Sequence, residues 1–77
     1  MYLATGQKLF IKRIENLGVI ITLDDRSKWK VNMFDITKSK LWLVMDEVTV
    51  ASYIGSKFKI THTKRNETIE AEFITKI

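Results

Sequence analysis

Residues 20–33 read IITLDDRSKWKVNM, two alternating runs separated by a polar reversal. In the first run the row Leu17, Val19, Ile21 and Leu23 shares one face. It is uniformly apolar and rich in branched side chains, which suits a half-buried pleated surface. The return run turns Trp29, Val31 and Met33 inward and Lys28, Lys30 and Asn32 outward, whereas a helix would scatter these residues around its circumference. Asp24, Asp25 and Ser27 carry side chains that bond neighbouring backbone amides and favour a reversal at 24–27. The stretch is predicted to be a β-hairpin anchored by Trp29.

Upstream, Gln7–Ile14 reads as a strand partly covered on both faces, because Phe10 and Ile11 are adjacent and both apolar. Glu15-Asn16 is a short turn, and Gly18 marks a bulge or the close approach of another backbone. Downstream, residues 35–40 read as a loop, with at most one short helical turn near residues 35–41. The dense run Leu41–Met45 is followed by alternating Val48 and Val50, either one strand over residues 43–51 bulged near Asp46 or two short segments.

After a turn at 52–56, Lys57–Thr63 alternates again, with Phe58, Ile60 and His62 inward. Lys64–Glu67 reverses the chain, and Thr68–Ile74 turns Ile69, Ala71 and Phe73 inward. Lys57 and Lys59 would then face Glu70 and Glu72 across a second hairpin, a pairing that speaks more to register than to stability. Short strands in so short a chain, without long helices, must curl onto themselves to bury a face. The expected fold is all-β: one domain over residues 1–77, a five- to six-stranded, strongly bent antiparallel sheet or barrel.

Seventy-seven residues leave room for one modest core. There is no cysteine and one histidine, His62, so apolar packing and backbone pairing must supply the stability. No apolar run approaches the roughly 20 residues that cross a bilayer, so no membrane insertion is expected. The opening MYLATGQKLF lacks the pattern of a secretory signal. A cytoplasmic location is the default expectation, and a secreted one stays open if Met1 replaces a removed leader.

The net charge is +4, and residues 1–40 carry eight positive and four negative side chains against five of each in residues 41–77. The excess therefore lies in the first part of the chain. A small excess of this kind attracts acidic partners or nucleic acid, or merely keeps strand edges soluble.

The segment from Ile21 through the Asp24–Ser27 turn to Trp29-Lys30-Val31, followed by Asp35, Trp42 and Asp46-Glu47-Val48-Thr49-Val50, resembles short uncharacterised bacterial β-proteins. In those chains an aliphatic strand ends in an acidic-glycine-serine turn and a Trp-x-Val strand, with a second Trp and a Gly-Asp-x-Val-x-Val strand downstream. The resemblance covers residues 19–50 and implies a small β-barrel without an attached activity. Arg26 and Met45 stand where the pattern has glycine, which puts the conformation of both turns in question, because glycine alone takes positive φ without strain.

No residue set points to catalysis, a cofactor or a metal. His62 is the one candidate base, and Thr61 and Thr63 would project from the opposite face of its strand. Asp24-Asp25 suits local hydrogen bonding in a turn better than metal binding, and Gly6, Gly18 and Gly55 form no phosphate loop. The leading expectation is a non-catalytic binding or adaptor module that associates with a protein partner or with itself. Its candidate contacts are Phe10, Trp42, Tyr53 and Ile54, apolar groups at loops or strand margins. Trp42 reads equally well as a core anchor. The alternative is weak, salt-sensitive nucleic-acid binding through a basic face drawn from Lys28, Lys30, Lys38, Lys40, Lys57, Lys59, Lys64 and Arg65.

Overall fold

A computed structural model describes residues 6–55 and 57–76. Its strands are β1 (Lys8–Glu15), β2 (Ile20–Leu23), β3 (Ser27–Val31), β4 (Glu47–Ser52), β5 (Lys57–His62) and β6 (Glu67–Lys76). A 3-10 turn at Met33–Asp35 runs into one short helix, α1 (Ile36–Ser39). All six strands close into one antiparallel barrel in the order β1-β2-β3-β6-β5-β4. Ser56, the last residue of the expected 52–56 turn, lies outside the described residues. None of the described helices is long and apolar enough to cross a membrane.

The order describes two three-stranded meanders, β1–β2–β3 and β4–β5–β6, sealed by the β1–β4 and β3–β6 pairings. Closure pairs both edges of each meander, which removes the unpaired strand edges that template aggregation. Because β3 and β4 lie on opposite sides of the closed order, residues 32–46 must cross one end of the barrel. That end also holds the reversals at 16–19 and 63–66. The opposite end holds 24–26 and 53–55.

The core is the inward rows of these strands: Leu9, Ile11, Ile21, Leu23, Trp29, Val31, Val48, Val50, Phe58, Ile60, Ile69 and Ala71, joined by Trp42 from the crossing segment. Trp29 stands at its centre, with edge-to-face contacts to Phe58 at 5.1 Å and Phe73 at 5.3 Å. Trp29 Nε1 donates to Ser27 Oγ at 2.9 Å, and Ser27 donates through both its hydroxyl and its backbone N–H to Asp25 Oδ1. Residues 25, 27 and 29 share one side of the extended chain. The acid, the serine and the tryptophan therefore form one relay that ties the turn to the core.

The imperfect alternation of β1 has a specific cause. Ile11 pairs with Leu23 but Arg13 pairs with Thr22, so Lys12 is an extra residue in the strand. Such a bulge bends the strand and resets the side-chain parity. Lys12 and Arg13 both face solvent, while Ile14 returns to pack against the core. Phe10 stays outside and Ile11 inside, so β1 is covered on one face only. A second register shift, where Lys28 pairs with Thr75 and Trp29 with Phe73, leaves Ile74 as the extra residue of β6.

Several expectations are corrected. Leu17 does not begin the inner row of β2: Asn16, Leu17 and Gly18 take φ values of 52°, 57° and 95° in a left-handed reversal, and Leu17 is exposed. Met33 is exposed rather than inward. Asn32 ends the alternation by accepting from Phe34 N–H and pairing through its own backbone N–H with the Glu70 carbonyl. Leu43–Met45 is no strand. It is a turn closed by Asp46 N–H to the Leu43 carbonyl, and Leu43 N–H donates to the Asp46 carboxylate.

The two positions where the resembled pattern carries glycine are both left-handed, with φ of 71° at Arg26 and 79° at Met45. Arg26 is the third residue of a three-residue hairpin loop, the place where a left-handed residue closes such a loop. Met45 is the third residue of its turn, where φ near +80° defines type II. Both turns keep a glycine geometry without the glycine, at a cost of about 1–2 kcal/mol per residue. Met45→Gly is expected to stabilise the barrel by about 1 kcal/mol and to raise its melting temperature by roughly 4–8 °C, measured by thermal circular dichroism.

Candidate binding surfaces

Eleven large hydrophobic residues are exposed among the described residues, and seven of them are Leu17, Met33, Phe34, Leu41, Leu43, Val44 and Met45. These seven belong to the 16–19 reversal and the crossing segment. Phe34 is 89% exposed and Leu17 86%. The segment is nevertheless held firmly in place. Ser39 Oγ donates to the buried Gly18 carbonyl at 2.8 Å, Asp35 Oδ2 accepts from Glu70 N–H at 2.8 Å, and Met45 N–H reaches the Ile11 carbonyl at 2.7 Å. The apolar side chains are thus presented from a fixed backbone rather than from a loose loop. A groove of about 440 Å³ opens beside Met33, floored by Val19, Val31, Ile36 and Ala71 and rimmed by Lys30, Lys57, Glu70 and Glu72.

Trp42, expected as a candidate contact, is buried at 2% exposure. Its Nε1 donates to Glu67 Oε1 at 2.9 Å, and its ring meets His62 edge-on at 5.1 Å. It closes the end of the core and is unavailable to a partner. Phe10, Tyr53 and Ile54 are exposed as expected. Tyr53 lies under the Lys59 ammonium at 4.4 Å, and it shares with Ile54 the end opposite the crossing segment. The expected contacts therefore do not converge on one surface.

The eight expected cations do not form one face either. Lys57 pairs in register with Glu72 and Lys59 with Glu70, as the sequence suggested. Lys38 lies 3.8 Å from Asp35 and Arg65 lies 3.8 Å from Glu67. Lys30 rims the apolar groove, and Lys40 and Lys64 are exposed at the crossing end. Lys28 alone enters a basic cleft of about 480 Å³ whose other walls are Lys12, Arg13, Glu15, Thr22 and Arg26. Sequence reasoning missed Lys12, Arg13 and Arg26. The signal available was the Ile11 to Ile14 spacing of three, which only a bulge reconciles with one buried face.

His62 sits on the inner row with Phe58 and Ile60, and both its nitrogens are occupied. Arg65 N–H donates to Nδ1 at 3.1 Å, so Nε2 carries the proton and donates to Asp46 Oδ2 at 2.7 Å. The hydrogen bond from His62, with that from Leu43 N–H, holds the Asp46 carboxyl below its ordinary value of 3.8, against a smaller opposing effect of burial. A depressed folded-state pKa contributes stability above the unfolded value and loses it as pH falls through the folded one. Asp46→Asn is therefore expected to cost about 1–2 kcal/mol at neutral pH. It should also flatten the loss of stability below about pH 4, read from urea titrations across pH 2–7.

Scans against family models, curated proteins and solved structures each find no match for this chain.

Proposed function

We propose that this barrel is a non-catalytic module that docks onto a protein partner through its crossing end. The observation that carries the reading is the concentration there of seven exposed apolar side chains on a hydrogen-bonded backbone. A monomer rarely exposes so many apolar groups together without using them. Leu17 strengthens the point. A leucine held left-handed at φ 57° and pointing into solvent is strained without any compensating burial of its own, and such strain gathers at functional sites. His62, covered and hydrogen-bonded at both nitrogens, supplies stability here rather than a base.

Site-specific photo-cross-linking in the producing cell tests this reading for a second copy and a different partner alike. A photoreactive residue at Phe34 or Leu43 is expected to give a discrete adduct, one at Thr75 none. Phe34→Ser combined with Leu43→Ser should weaken that association at least tenfold, since each buried side chain is worth about 1.5–3 kcal/mol. Absence of any adduct at both end positions would overturn the proposal.

A further inference from the structure

We infer that the outer face of β1–β2–β3 is a second binding site, built for the phosphodiester backbone of single-stranded nucleic acid. It lies on the wall of the barrel, apart from the apolar end, and stands independently of the docking role.

The bulge makes the site. A regular β1 would send Lys12 and Arg13 to opposite faces, but the extra residue puts both outside. Lys28 stands two strands away, opposite Thr22 in register. Strands lie about 4.8 Å apart, so the β1 and β3 cations form two rows about 10 Å apart. Between them β2 is the floor, with Thr22 at its centre. Arg26, fixed left-handed in the hairpin turn, closes the lower end. The result is a trough with basic walls along a short strand.

Charge distribution separates this face from the rest of the surface. Elsewhere cations are set against carboxylates: Lys38 with Asp35, Arg65 with Glu67, and the Lys57 and Lys59 row opposite Glu72 and Glu70. In the cleft four cations, Lys12, Arg13, Arg26 and Lys28, share one carboxylate, Glu15, which leaves three positive charges in excess. Glu15 lies 4.0 Å from Lys28, and its Oε1 is buried without a hydrogen-bond partner. Lys12, Arg13 and Arg26 have no ion-pair partner within 4.0 Å among the described residues. Like charges gathered in this way repel one another unless an anion enters.

A chain of phosphates suits an open trough better than one compact anion does, because its charges can be distributed along both walls. Phe10 supplies a further element. It projects from the same outer face of β1, two residues before Lys12, and is partly exposed. Cations tracking a backbone beside an aromatic ring on which a base can stack is the arrangement single strands use.

The full-length protein, titrated into a labelled oligothymidylate at about 50 mM and about 200 mM salt, tests the site by fluorescence anisotropy. Contacts to three or four phosphates predict a log–log salt slope of about −2 to −3. Lys12→Gln with Arg13→Gln is expected to weaken binding at least tenfold and to make the slope shallower by about one unit. Lys57→Gln with Lys59→Gln removes the same charge from the opposite wall and should change affinity by less than about threefold. Arg26→Gly is the most informative variant, because it relieves the φ of 71° while deleting a cation. Affinity should fall as the melting temperature rises, which separates loss of the site from loss of the fold.

No binding at the lower salt, or equal losses in the two double variants, would overturn the inference. So would binding of polyglutamate as tight as that of the oligonucleotide, which would assign the cleft to acidic protein. Cross-linking at Phe34 is unaffected by any of these results, so the two surfaces stand or fall separately.

Discussion

Trp29→Ala should leave the chain largely unfolded at 37 °C. The side chain is fully buried and bears edge-on against Phe58 and Phe73. Truncating a buried tryptophan costs about 3–5 kcal/mol, against a total of roughly 4–12 kcal/mol for a domain of this length. The location compounds the loss. Trp29 belongs to β3, and its ring partners belong to β5 and β6, so the indole spans the β3–β6 seam that joins the two meanders. A hairpin closed by a local turn can re-form easily after an opening. A seam between strands distant in sequence must regain its loop-closure entropy each time. Thermal circular dichroism is expected to show a fall in melting temperature of roughly 15–30 °C. Trp29→Phe keeps a ring and loses the bond to Ser27, so about 1–2 kcal/mol should go. Adding Ser27→Ala should then cost less than it does alone, since the two residues share one relay. Additive losses would show that the relay contributes nothing beyond packing.

That relay explains why the 20–33 stretch was readable. Trp29 and Val31 alternate cleanly after a turn with its own hydrogen-bonding logic, so propensity, pattern and tertiary contact agree. The second hairpin is legible for the same reason, down to Lys57 opposite Glu72. Where period two fails, the sequence misleads. Lys12 is one inserted residue, and a bulge is invisible to a rule that assumes strict alternation. Leu41–Met45 looks like a buried strand because an apolar run normally is one. Only the closed strand order shows it to be a turn beside β1 with its side chains outside. Leu17 appears to continue an inner row because nothing in its type announces a left-handed backbone. Trp42 was undecidable, since an irregular segment has no period by which to assign a face.

The two candidate surfaces suffer from this unequally. The basic cleft needs a bulge, a turn and three strands brought together, and Lys28 was the one wall residue that local reading named. The apolar end needs the topology that carries residues 32–46 across the barrel. Tyr53 and Ile54, exposed in a simple hairpin turn, were visible from the sequence, and they lie at the end with fewer apolar neighbours. Local exposure was legible in places, but its convergence into a surface was not.

Gly18→Ala is the substitution that should connect stability to the docking end. A Cβ at this position would stand 2.7 Å from Lys40 N, 2.8 Å from Lys40 Cα and 3.0 Å from Ser39 C. All three are backbone atoms of α1 and its C-terminal end, so no rotamer change can make room. The φ of 95° adds a strain that glycine alone avoids. Overpacking of this kind costs about 1–3 kcal/mol and positive φ about 1–2 kcal/mol, which gives an expected loss of about 2–4 kcal/mol. Gly55→Ala separates the two causes: its φ is also positive, at 58°, but a Cβ there meets nothing within 4 Å. It should cost only about 1 kcal/mol, and equal losses at the two glycines would refute a contact-driven effect. The structural response should be just as specific. Relief of the clash requires Lys40 and Ser39 to move away from the 16–18 reversal, which breaks the Ser39 hydroxyl bond to the Gly18 carbonyl. Leu41 and Leu43 follow directly in the chain, so the apolar end is displaced while the strands of the barrel remain paired. Hydrogen exchange of Gly18→Ala at a temperature where it stays folded should show faster exchange at the Lys40, Leu41 and Trp42 amides, whose bonds to Ile36, Lys38 and Ser39 close this part of the segment. Amides of the β4–β5 pairing should stay protected. The cross-link at Leu43 should fall in the same variant, while oligonucleotide binding at the Lys12 and Arg13 cleft should not.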